Sequence, residues 1–392
     1  NLNNIRTLAT MYLSTNQKEK VKEFIFGKGT ADILKKYKEF GKLNYNQEVL
    51  PKTQFTKIDL KEISLKDLNL TEEVDWHKAL AFKFQMEQYK ELLIIADGKG
   101  KIYFINKNFI LDSNNFEWRE IKSNLNSTDI FVKDLLVIDD ELYVSYLETG
   151  TDGCNTMNIA KTKITKDNLF FEKFFNPKEC GEFNAGRMAV YNHKGQDGLL
   201  FSTDTDKGNH MFAQNDNSVY GKILFIDFAT NDYLIFSRGH RTPQGLIVEN
   251  NSILSVEHGP RGGDEINLIE FENNYGWPIA SYGEPYYREK KSNKIYHFLK
   301  NHRENGFVEP IYSFVPSIGI NQIIKIPENF SYFWKNNFFV TSLEGRKIYR
   351  ILFDKNYEKL IFHEKIYIGK RIRDIMYVEE FNVFLLALEG SK

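Results

Sequence analysis

An apolar strand–turn–strand pattern recurs six times between residues 91 and 388, and it constrains the fold more than any other feature of the sequence. Each copy has two apolar runs with a period of two residues, joined by a turn rich in Asp, Asn or Gly. Recurrence at irregular intervals of roughly 40 to 80 residues predicts a six-bladed β-propeller, an all-β fold, and leaves two β-sandwiches as the alternative. The copies are Glu91–Ile105, Leu135–Tyr146, Arg187–Thr203, Leu246–Val256, Gln322–Phe353 and Ile372–Leu388.

The two ends of the chain carry different expectations. The sequence stops at Lys392, just past the sixth copy, so we expect a closing strand from the region Phe82 to Phe84. Within Asn16–Phe40, apolar residues spaced three and four apart predict one or two helices. We therefore predict a partly helical N-terminal extension over residues 1–70, followed by the propeller over residues 71–392. A solvated helix face is favoured there over a membrane-surface helix.

Composition narrows the classes of partner. The chain has 392 residues, a net charge of −1 and 42% apolar residues, which is ample material for a large core. Near-neutral charge with scattered basic residues argues against a nucleic-acid partner. No apolar run approaches the roughly 20 residues of a membrane helix. Because the chain begins at Asn1 rather than methionine, we expect a signal peptide or anchor to be missing from this sequence.

The two cysteines, Cys154 and Cys180, lie in one loop-rich segment. In an exported protein, they would most simply close a disulfide worth about 3 kcal/mol in the chain-entropy model. Two unrelated buried thiols are the alternative. The spacing of cysteine and histidine gives no zinc motif.

The segment His258–Glu265 carries the densest group of chemically active residues. It follows an apolar strand and contains three glycines, one proline, two basic residues and two carboxylates. Loops held at strand ends by a rigid sheet commonly carry binding sites. The carbonyl groups of Gly259 and Pro260 suit a hard cation such as calcium. A charged surface turn with an internal Asp/Arg pair is the alternative.

Three motifs resemble one known family over roughly residues 80–392. They are G-H-R-T-P-Q-G-L from Gly239, E-H-G-P-R-G-G-D-E-I-N from Glu257 and N-Y-G-W-P from Asn274. This set resembles the soluble quinoprotein sugar dehydrogenases, the glucose/sorbosone and aldose sugar dehydrogenase family. The resemblance implies a six-bladed β-propeller, pyrroloquinoline quinone (PQQ) and calcium as cofactors, and a periplasmic or secreted location.

The resemblance also implies a ligand set. Gly259 and Pro260 match the pair whose carbonyls hold calcium. The residues expected to contact the cofactor are Arg241, Thr242, Gln244, Arg371 and Arg373. For the arginines, salt bridges within the channel to Asp264, Glu265 or Asp374 are the alternative.

Two of these positions depart from the family pattern. Thr242 stands where an asparagine is usual. Glu344 stands where some members carry lysine, which would reverse the charge of one cofactor contact.

The proton-transfer residue departs most. Residues Phe183–Arg187 resemble the family's H-x-x-G-R segment, whose histidine is the general base, and here that position is Phe183. Phenylalanine cannot accept a proton. A shift of one residue in that loop would change the alignment. His258 is the remaining candidate base, and Asp204, or alternatively Asp206, is the candidate carboxylate that orients it.

Two functions follow. The first is a quinoprotein dehydrogenase that oxidises a sugar or related hydroxyl substrate bound in the central channel. The second is a catalytically inactive propeller for binding or assembly, for which a protein partner remains open. Fold resemblance alone does not transfer an activity.

Overall fold

Each of the six predicted hairpins is present as a pair of antiparallel strands in the computed structural model of the protein. The structure describes residues 59–65, 68, 70, 73–74, 80–81, 83–112, 117–181, 185–205, 210–285 and 298–389. The helices predicted within Asn16–Phe40 lie outside these residues. The described residues contain no α-helix, and their 3₁₀ helices are Lys107–Ile110, His210–Gln214, Arg303–Asn305, Tyr332–Trp334 and Glu379–Phe381.

The strands form a separate pair, five larger sheets and a two-stranded sheet. The separate pair is β1 (Glu73–Val74) and β2 (Leu80–Ala81). Sheet 1 is β3 (Phe84–Tyr89), β4 (Leu92–Asp97), β5 (Ile102–Asn106) and β6 (Trp118–Ser123). Sheet 2 is β7 (Ile130–Ile138), β8 (Glu141–Thr149), β9 (Asn155–Lys163) and, after the short β10 (Asn168–Leu169) that pairs in parallel with β6, β11 (Glu172–Phe175).

The remaining sheets follow chain order. Sheet 3 is β12 (Met188–His193), β13 (Gln196–Ser202), β14 (Lys222–Asp227) and β15 (Tyr233–Arg238). Sheet 4 is β16 (Pro243–Glu249), β17 (Ser252–Glu257), β18 (Asp264–Ile269) and β19 (Tyr312–Phe314). Sheet 5 is β20 (Ile320–Lys325), β21 (Asn337–Ser342), β22 (Lys347–Phe353) and β23 (Leu360–Tyr367), and sheet 6 is β24 (Arg371–Val378) and β25 (Val383–Glu389).

The first strands of the six sheets contact one another in a closed cycle, from β3 through β7, β12, β16, β20 and β24 back to β3. Apolar side chains fill each space between neighbouring sheets. Phe104 and Val144 pack between sheets 1 and 2, and Met86 packs with Met376 between sheets 1 and 6. Burial of these opposing faces is the main stabilising contribution of the fold. The architecture is an all-β propeller.

One detail of the predicted fold is not confirmed, and another is wrong. The prediction of six complete blades is not confirmed, because among the described residues five sheets have at least four strands and sheet 6 has two. The closing strand expected at Phe82–Phe84 is wrong, because Phe84 begins β3, the first strand of sheet 1. A two-residue turn joins the alternating stretch Phe84–Tyr89 to the first predicted hairpin, so this stretch adds a strand to that hairpin.

The residues in the hairpin turns explain why the hairpins could be predicted from the sequence. Asn250 and Asn251 join β16 and β17 with φ angles of 50° and 64°. Asparagine tolerates this left-handed region, which two-residue hairpins of the primed type require. The predicted tight polar turn is therefore present.

Arg187, which immediately precedes β12, joins several sheets in the middle of the ring. Its Nη1 donates to Asp134 Oδ1 (2.8 Å) on β7 and to Gln85 Oε1 (3.1 Å) on β3. Its Nε donates to the carbonyl of Gln244 (2.7 Å) on β16, and its Nη2 reaches the carbonyl of Arg373 (3.5 Å) on β24. The guanidinium group is buried, so these bonds satisfy a charge that would otherwise be costly.

The described part of the predicted extension is short. Leu68 is buried and packs with Met86 and Met376.

Cys154 and Cys180 form a disulfide with their Cα atoms 5.2 Å apart, so the predicted disulfide is confirmed. In the part of the chain that the structure describes, no helix is long and apolar enough to cross a bilayer.

Candidate functional site

The candidate site residues lie on loops, or on the first residues of strands β16 and β24, at one end of the propeller sheets. Because neighbouring strands are antiparallel, the loops after the second and fourth strands of each sheet open at the same end. In sheets 3 to 5, the described residues of these loops are 203–205, 210–221, 239–242, 258–263, 315–319, 343–346 and 368–370.

Asp264 fixes the loop that contains the Gly-Pro pair. Its Oδ1 accepts a hydrogen bond from the amide of Gly259 (3.1 Å). Its Oδ2 accepts from the amides of Ile318 and Ile320 (2.9 and 3.0 Å). A Cβ atom on Gly259 would lie 2.0 Å from the carbonyl oxygen of Gly263, so the loop requires glycine there. The carboxylate thus joins the loop after β17 to the start of β20.

Glu257 holds the neighbouring loop. Its Oε2 accepts from the amide of Arg241 (2.9 Å), and its Oε1 accepts from Asn267 Nδ2 (2.8 Å). His240 Nδ1 lies 3.5 Å from the same Oε1, and the imidazole ring stacks on Tyr275 with ring centroids 4.7 Å apart. The first two motifs of the sequence therefore meet through one buried carboxylate.

Arg241 points its side chain across the site. Its Nη1 donates to the carbonyl of His258 (3.2 Å), and its Cζ lies 5.3 Å from the ring centre of Trp277. Its Nε is buried and has no hydrogen-bond partner among the described residues. A buried guanidinium N–H without a partner is suited to an anionic ligand.

Arg371 and Arg373 share one buried carboxylate, Glu389. Arg371 Nε donates to Glu389 Oε2 (2.5 Å), and Arg373 Nη2 donates to Glu389 Oε1 (2.7 Å). Burial alone would raise the pKa of Glu389, but Arg373 and Arg371 reverse this and lower it. Glu344 Oε2 also lies 3.5 Å from Arg371 Nη1. The arginines are thus paired with Glu389 and Glu344, and not with Asp264, Glu265 or Asp374, the alternatives that the sequence left open.

The Nε of Arg373, like that of Arg241, is buried without a hydrogen-bond partner among the described residues. Both guanidinium groups are close enough to His258 to lower the pKa of its imidazole, although burial is the larger cause and Asp264 opposes them. The lowered pKa favours the neutral imidazole, which is the form that a base requires. Its Nε2 is buried and has no partner within the described part of the chain.

A small cavity brings several predicted residues together. Its volume is about 10 Å³, which is room for about one water molecule. Burial raises the pKa of Glu265, one of its walls, and the nearby Glu257 raises it further. The walls include Arg241, Glu257, His258, Gly259, Pro260 and Glu265.

Thr242 and Gln244 are buried on β16 or just before it, and both contribute backbone groups. The carbonyl of Thr242 accepts from the amide of His258 (3.0 Å), and the carbonyl of Gln244 accepts from Arg187. Contact of their side chains with a cofactor stays a prediction. Asp204 is buried, and its carbonyl accepts from the amide of Gly221 (3.0 Å).

Phe183 and Asp206 lie outside the described residues, so the predicted loss of the base histidine stays a prediction. Within the described residues, no group of three or more His, Cys, Asp or Glu side chains is arranged to hold a metal ion. Calcium binding by the carbonyls of Gly259 and Pro260 stays a prediction.

Sequence reasoning missed Glu389, Thr205 and His210. Glu389 lies directly opposite Arg371 in the β24–β25 register. Counting residue pairs outward from the turn between these strands would have predicted this pair with an error of one residue, because the register shifts by one residue at Arg373. Thr205 Oγ1 accepts from Trp277 Nε1 (3.3 Å) and lies 3.3 Å from His210 Nδ1. No spacing in the sequence indicates that these residues meet.

Several known proteins are similar to this chain in sequence or in fold. Residues 91–391 match the family model described as Glucose / Sorbosone dehydrogenase. Aldose sugar dehydrogenase YliI of Escherichia coli K12 is 26% identical over 280 residues, which are 64% of this chain and 71% of that protein. Quinoprotein glucose dehydrogenase B of Acinetobacter calcoaceticus is 52% identical over 50 residues, which are 12% of this chain and 10% of that protein.

An uncharacterized protein of Synechocystis, slr1608, is 29% identical over 194 residues, which are 46% of this chain but only 45% of that protein. This chain therefore matches less than half of the length of that relative.

Solved structures share the fold. A glucose dehydrogenase superposes with a TM-score of 0.66 at 20% identity, over 81% of this chain and 95% of that one. The PQQ-bound form of an aldose sugar dehydrogenase from Streptomyces coelicolor superposes with a TM-score of 0.56 at 16% identity, over 75% and 84% of the two chains. Since the family model covers most of the sequence, the chain belongs to the glucose/sorbosone dehydrogenase family.

Proposed function

We propose that this protein is a quinoprotein dehydrogenase that binds PQQ and calcium and oxidises a hydroxyl group of a sugar or related substrate. Membership of a sugar dehydrogenase family and the likeness to a PQQ-bound relative support the class of reaction. The observation that carries the proposal is the set of three arginines: Arg241 and Arg373, which both act on His258 next to the Gly-Pro pair, and Arg371, which shares Glu389 with Arg373.

The residues fit an anionic cofactor. Arg241 and Arg373 each keep a buried Nε–H without a partner among the described residues, and a carboxylate of PQQ can accept these bonds. The carbonyls of Gly259 and Pro260 would hold calcium, an ion that takes oxygen ligands from flexible sites. When bound, PQQ would supply the two-electron acceptor. The protein's own part is to orient the ligand, exclude water and accept the substrate's hydroxyl proton.

We extend the proposal to the number of blades and to the location of the protein. The closed cycle of six first strands supports a six-bladed propeller in which sheet 6 is the last blade. The disulfide between Cys154 and Cys180 supports an oxidising compartment, and hence a periplasmic or secreted protein.

Titration of the metal-stripped protein with PQQ, with and without calcium, tests the proposal. We expect calorimetry to show binding that depends on calcium. Replacing Arg371 and Arg373 together by methionine removes charge-assisted bonds worth about 1.5 to 3 kcal/mol each, so affinity should fall at least tenfold. Arg119→Met, at a half-exposed arginine on β6 of sheet 1, is the matched control and should bind as the parent does.

A screen of sugars and alcohols with an artificial electron acceptor then identifies the substrate. Absence of PQQ binding at high micromolar concentration would overturn the proposal. In that case, the second candidate function is favoured, which is a propeller that serves binding or assembly. The reason is that the carboxylates of Glu344 and Glu389 already neutralise the charges of Arg371 and Arg373.

A further inference from the structure

The disulfide lies at the same end of the sheets as the candidate site. Cys154 is in the turn between β8 and β9, and Cys180 follows β11, so both lie in loops after the second or fourth strand of sheet 2. Cys180 is exposed and Cys154 is half-buried, so a reductant can reach the bond. The redox state of this bond can therefore change in the folded protein.

Glu179, next to Cys180, joins this segment to the loop between β13 and β14 of the neighbouring sheet. Its Oε1 accepts from Ser218 Oγ (2.6 Å), and its Oε2 accepts from the amide of Val219 (2.9 Å). Its backbone carbonyl accepts from the hydroxyl of Tyr220. One residue beside the disulfide therefore holds three consecutive residues of that loop.

One buried lysine joins the two ends of the same loop. Lys222, the first residue of β14, is buried, and its Nζ donates to the carbonyls of Phe212, Ala213 and Tyr220 (2.7, 3.2 and 2.7 Å). Phe212 and Ala213 belong to the 3₁₀ helix of the loop. This helix is thus bonded to the part of the loop that lies beside the disulfide.

The loop that carries Arg241 is bonded to this assembly at two points. The amide of Gly239 donates to the carbonyl of Ala213 (3.0 Å), and the amide of His240 donates to the carbonyl of Gly221 (3.0 Å). A continuous series of hydrogen bonds therefore connects the disulfide of sheet 2 to an arginine of the candidate site. Contiguous networks of this kind can carry energetic coupling, which has to be tested by measurement.

We propose that Glu179 is a positioning residue for Arg241, and that the disulfide holds Glu179 in place, so that only the oxidised protein has full affinity for an anionic cofactor. This inference rests on the proposed function. When a dithiol reduces the disulfide, the S–S bond breaks, each sulfur takes up one electron and one proton, and the dithiol becomes a disulfide. Residues 176–181 then keep a backbone hydrogen bond from Gly181 to Asn155 (2.8 Å) but lose their covalent link to the β8–β9 turn.

Hydrogen exchange of the cofactor-free protein tests the coupling without turnover. In the parent reduced with dithiothreitol, we expect the amides of Val219 and Gly239 to exchange about tenfold faster than in the oxidised parent, because their hydrogen bonds open more often. The amides of β4 and β21 should stay protected over the same minutes. Equal loss of protection in those strands would show general unfolding and would overturn the inference.

Glu179→Ala separates positioning from the covalent bond. Alanine removes both acceptor oxygens of the side chain and leaves the cysteines as they are. With the disulfide intact, this variant should show the same faster exchange at Val219 and Gly239. Glu172→Ala, at an exposed glutamate on β11, is the matched control and should exchange as the parent does.

Affinity for PQQ is the functional readout. Because a quinone oxidises thiols, the titration compares the parent with Cys154→Ser/Cys180→Ser in the presence of calcium and without a reductant. We expect the double serine variant and Glu179→Ala to bind PQQ about three- to tenfold more weakly than the parent. Glu172→Ala should bind as the parent does.

The outcomes separate the two proposals. If the parent does not bind PQQ, the proposed function is overturned and this inference with it. If the parent binds PQQ and the double serine variant binds it equally well, only this inference is overturned. Faster exchange on reduction without the same change in Glu179→Ala contradicts the role of Glu179.

Discussion

Arg371 and Arg373 carry two positive charges toward the site, and two carboxylates balance them. Glu389 is almost fully buried beneath both guanidinium groups, whereas the side chain of Glu344 is 72% exposed beside Arg371. A buried partner fixes the orientation of an arginine, while an exposed one mainly lowers the local potential. The two carboxylates should therefore affect different measurements.

Glu344→Lys should strengthen PQQ binding. The substitution removes a negative charge 3.5 Å from Arg371 Nη1 and adds a positive one. Because the side chain is exposed, solvent screens the effect, and we expect about a two- to fivefold gain that shrinks as salt is raised. Calorimetry at two ionic strengths measures it. Glu358→Lys, an exposed glutamate in the β22–β23 turn, is the control, and equal affinities for the two variants would contradict the prediction.

Glu389→Gln should destabilise the protein. It leaves two partly buried guanidinium groups without their shared anion, at a cost of about 2 kcal/mol. Urea unfolding of the protein without cofactor measures the loss, with Glu358→Gln as the matched control. A free energy of unfolding equal to that of the parent would show that Glu389 is not needed to compensate these charges.

Individual residues were predictable to different extents. The motifs identified Arg241, Gly259 and Pro260, and the structure brings them to one cavity because one loop leads into β16 and the other follows β17, its antiparallel neighbour. His210 could not be found in this way. Its relation to Trp277 joins loops of sheets 3 and 4 that are 67 residues apart in the sequence, and no local spacing encodes such a contact.

At the scale of elements, local sequence patterns were sufficient to predict the strands but not to predict which strand would complete sheet 6. The alternation of residues and the polar turns identified all six hairpins, since both signals depend on neighbours in sequence. The number of strands in sheet 6 depends instead on which distant segment pairs with β25. That pairing is a long-range choice, and the expectation for Phe82–Phe84 was wrong for this reason.

The disulfide connects the turn after β8 to the segment that leads to Arg187. The amide of Gly181 also donates to the carbonyl of Asn155 (2.8 Å), and Glu179 accepts from the amide of Val219 (2.9 Å). Replacing both cysteines by serine should lower the free energy of unfolding by about 3 kcal/mol.

Urea unfolding with and without a reductant tests this expectation. The parent should lose stability on reduction, and the double serine variant should not respond. If the parent is equally stable in both conditions, the disulfide contributes nothing to stability.

At the scale of the whole molecule, acidic residues gather around Arg187. Burial raises the pKa of Glu87 to about 8, and the charges of Asp134 and Asp374 add to the rise. Burial likewise raises the pKa of Asp134 to about 6, against the opposing effect of Arg187. A carboxyl group whose pKa is higher in the folded state stabilises the fold while it is protonated, and this contribution disappears as pH rises.

The melting temperature should therefore fall as pH rises from about 5 to 8. Glu87→Gln should reduce the fall between about pH 6 and 8, because glutamine stays neutral where Glu87 would lose its proton. Differential scanning calorimetry across this range measures it. Glu117→Gln, at an exposed position, should reproduce the fall of the parent. A parallel pH dependence in Glu87→Gln would contradict the assignment.

The contacts of Arg187 also bear on how the chain reaches its native state. Its partners Asp134, Gln244, Gln85 and Arg373 are 53, 57, 102 and 186 residues away in sequence. Contacts at such separations form slowly, because long loops must close first. The last of these partners is made only when the final hairpin has been synthesised. Until then, the buried guanidinium group of Arg187 lacks one of its acceptors. We therefore expect the ring of sheets to close only after β24 has been synthesised.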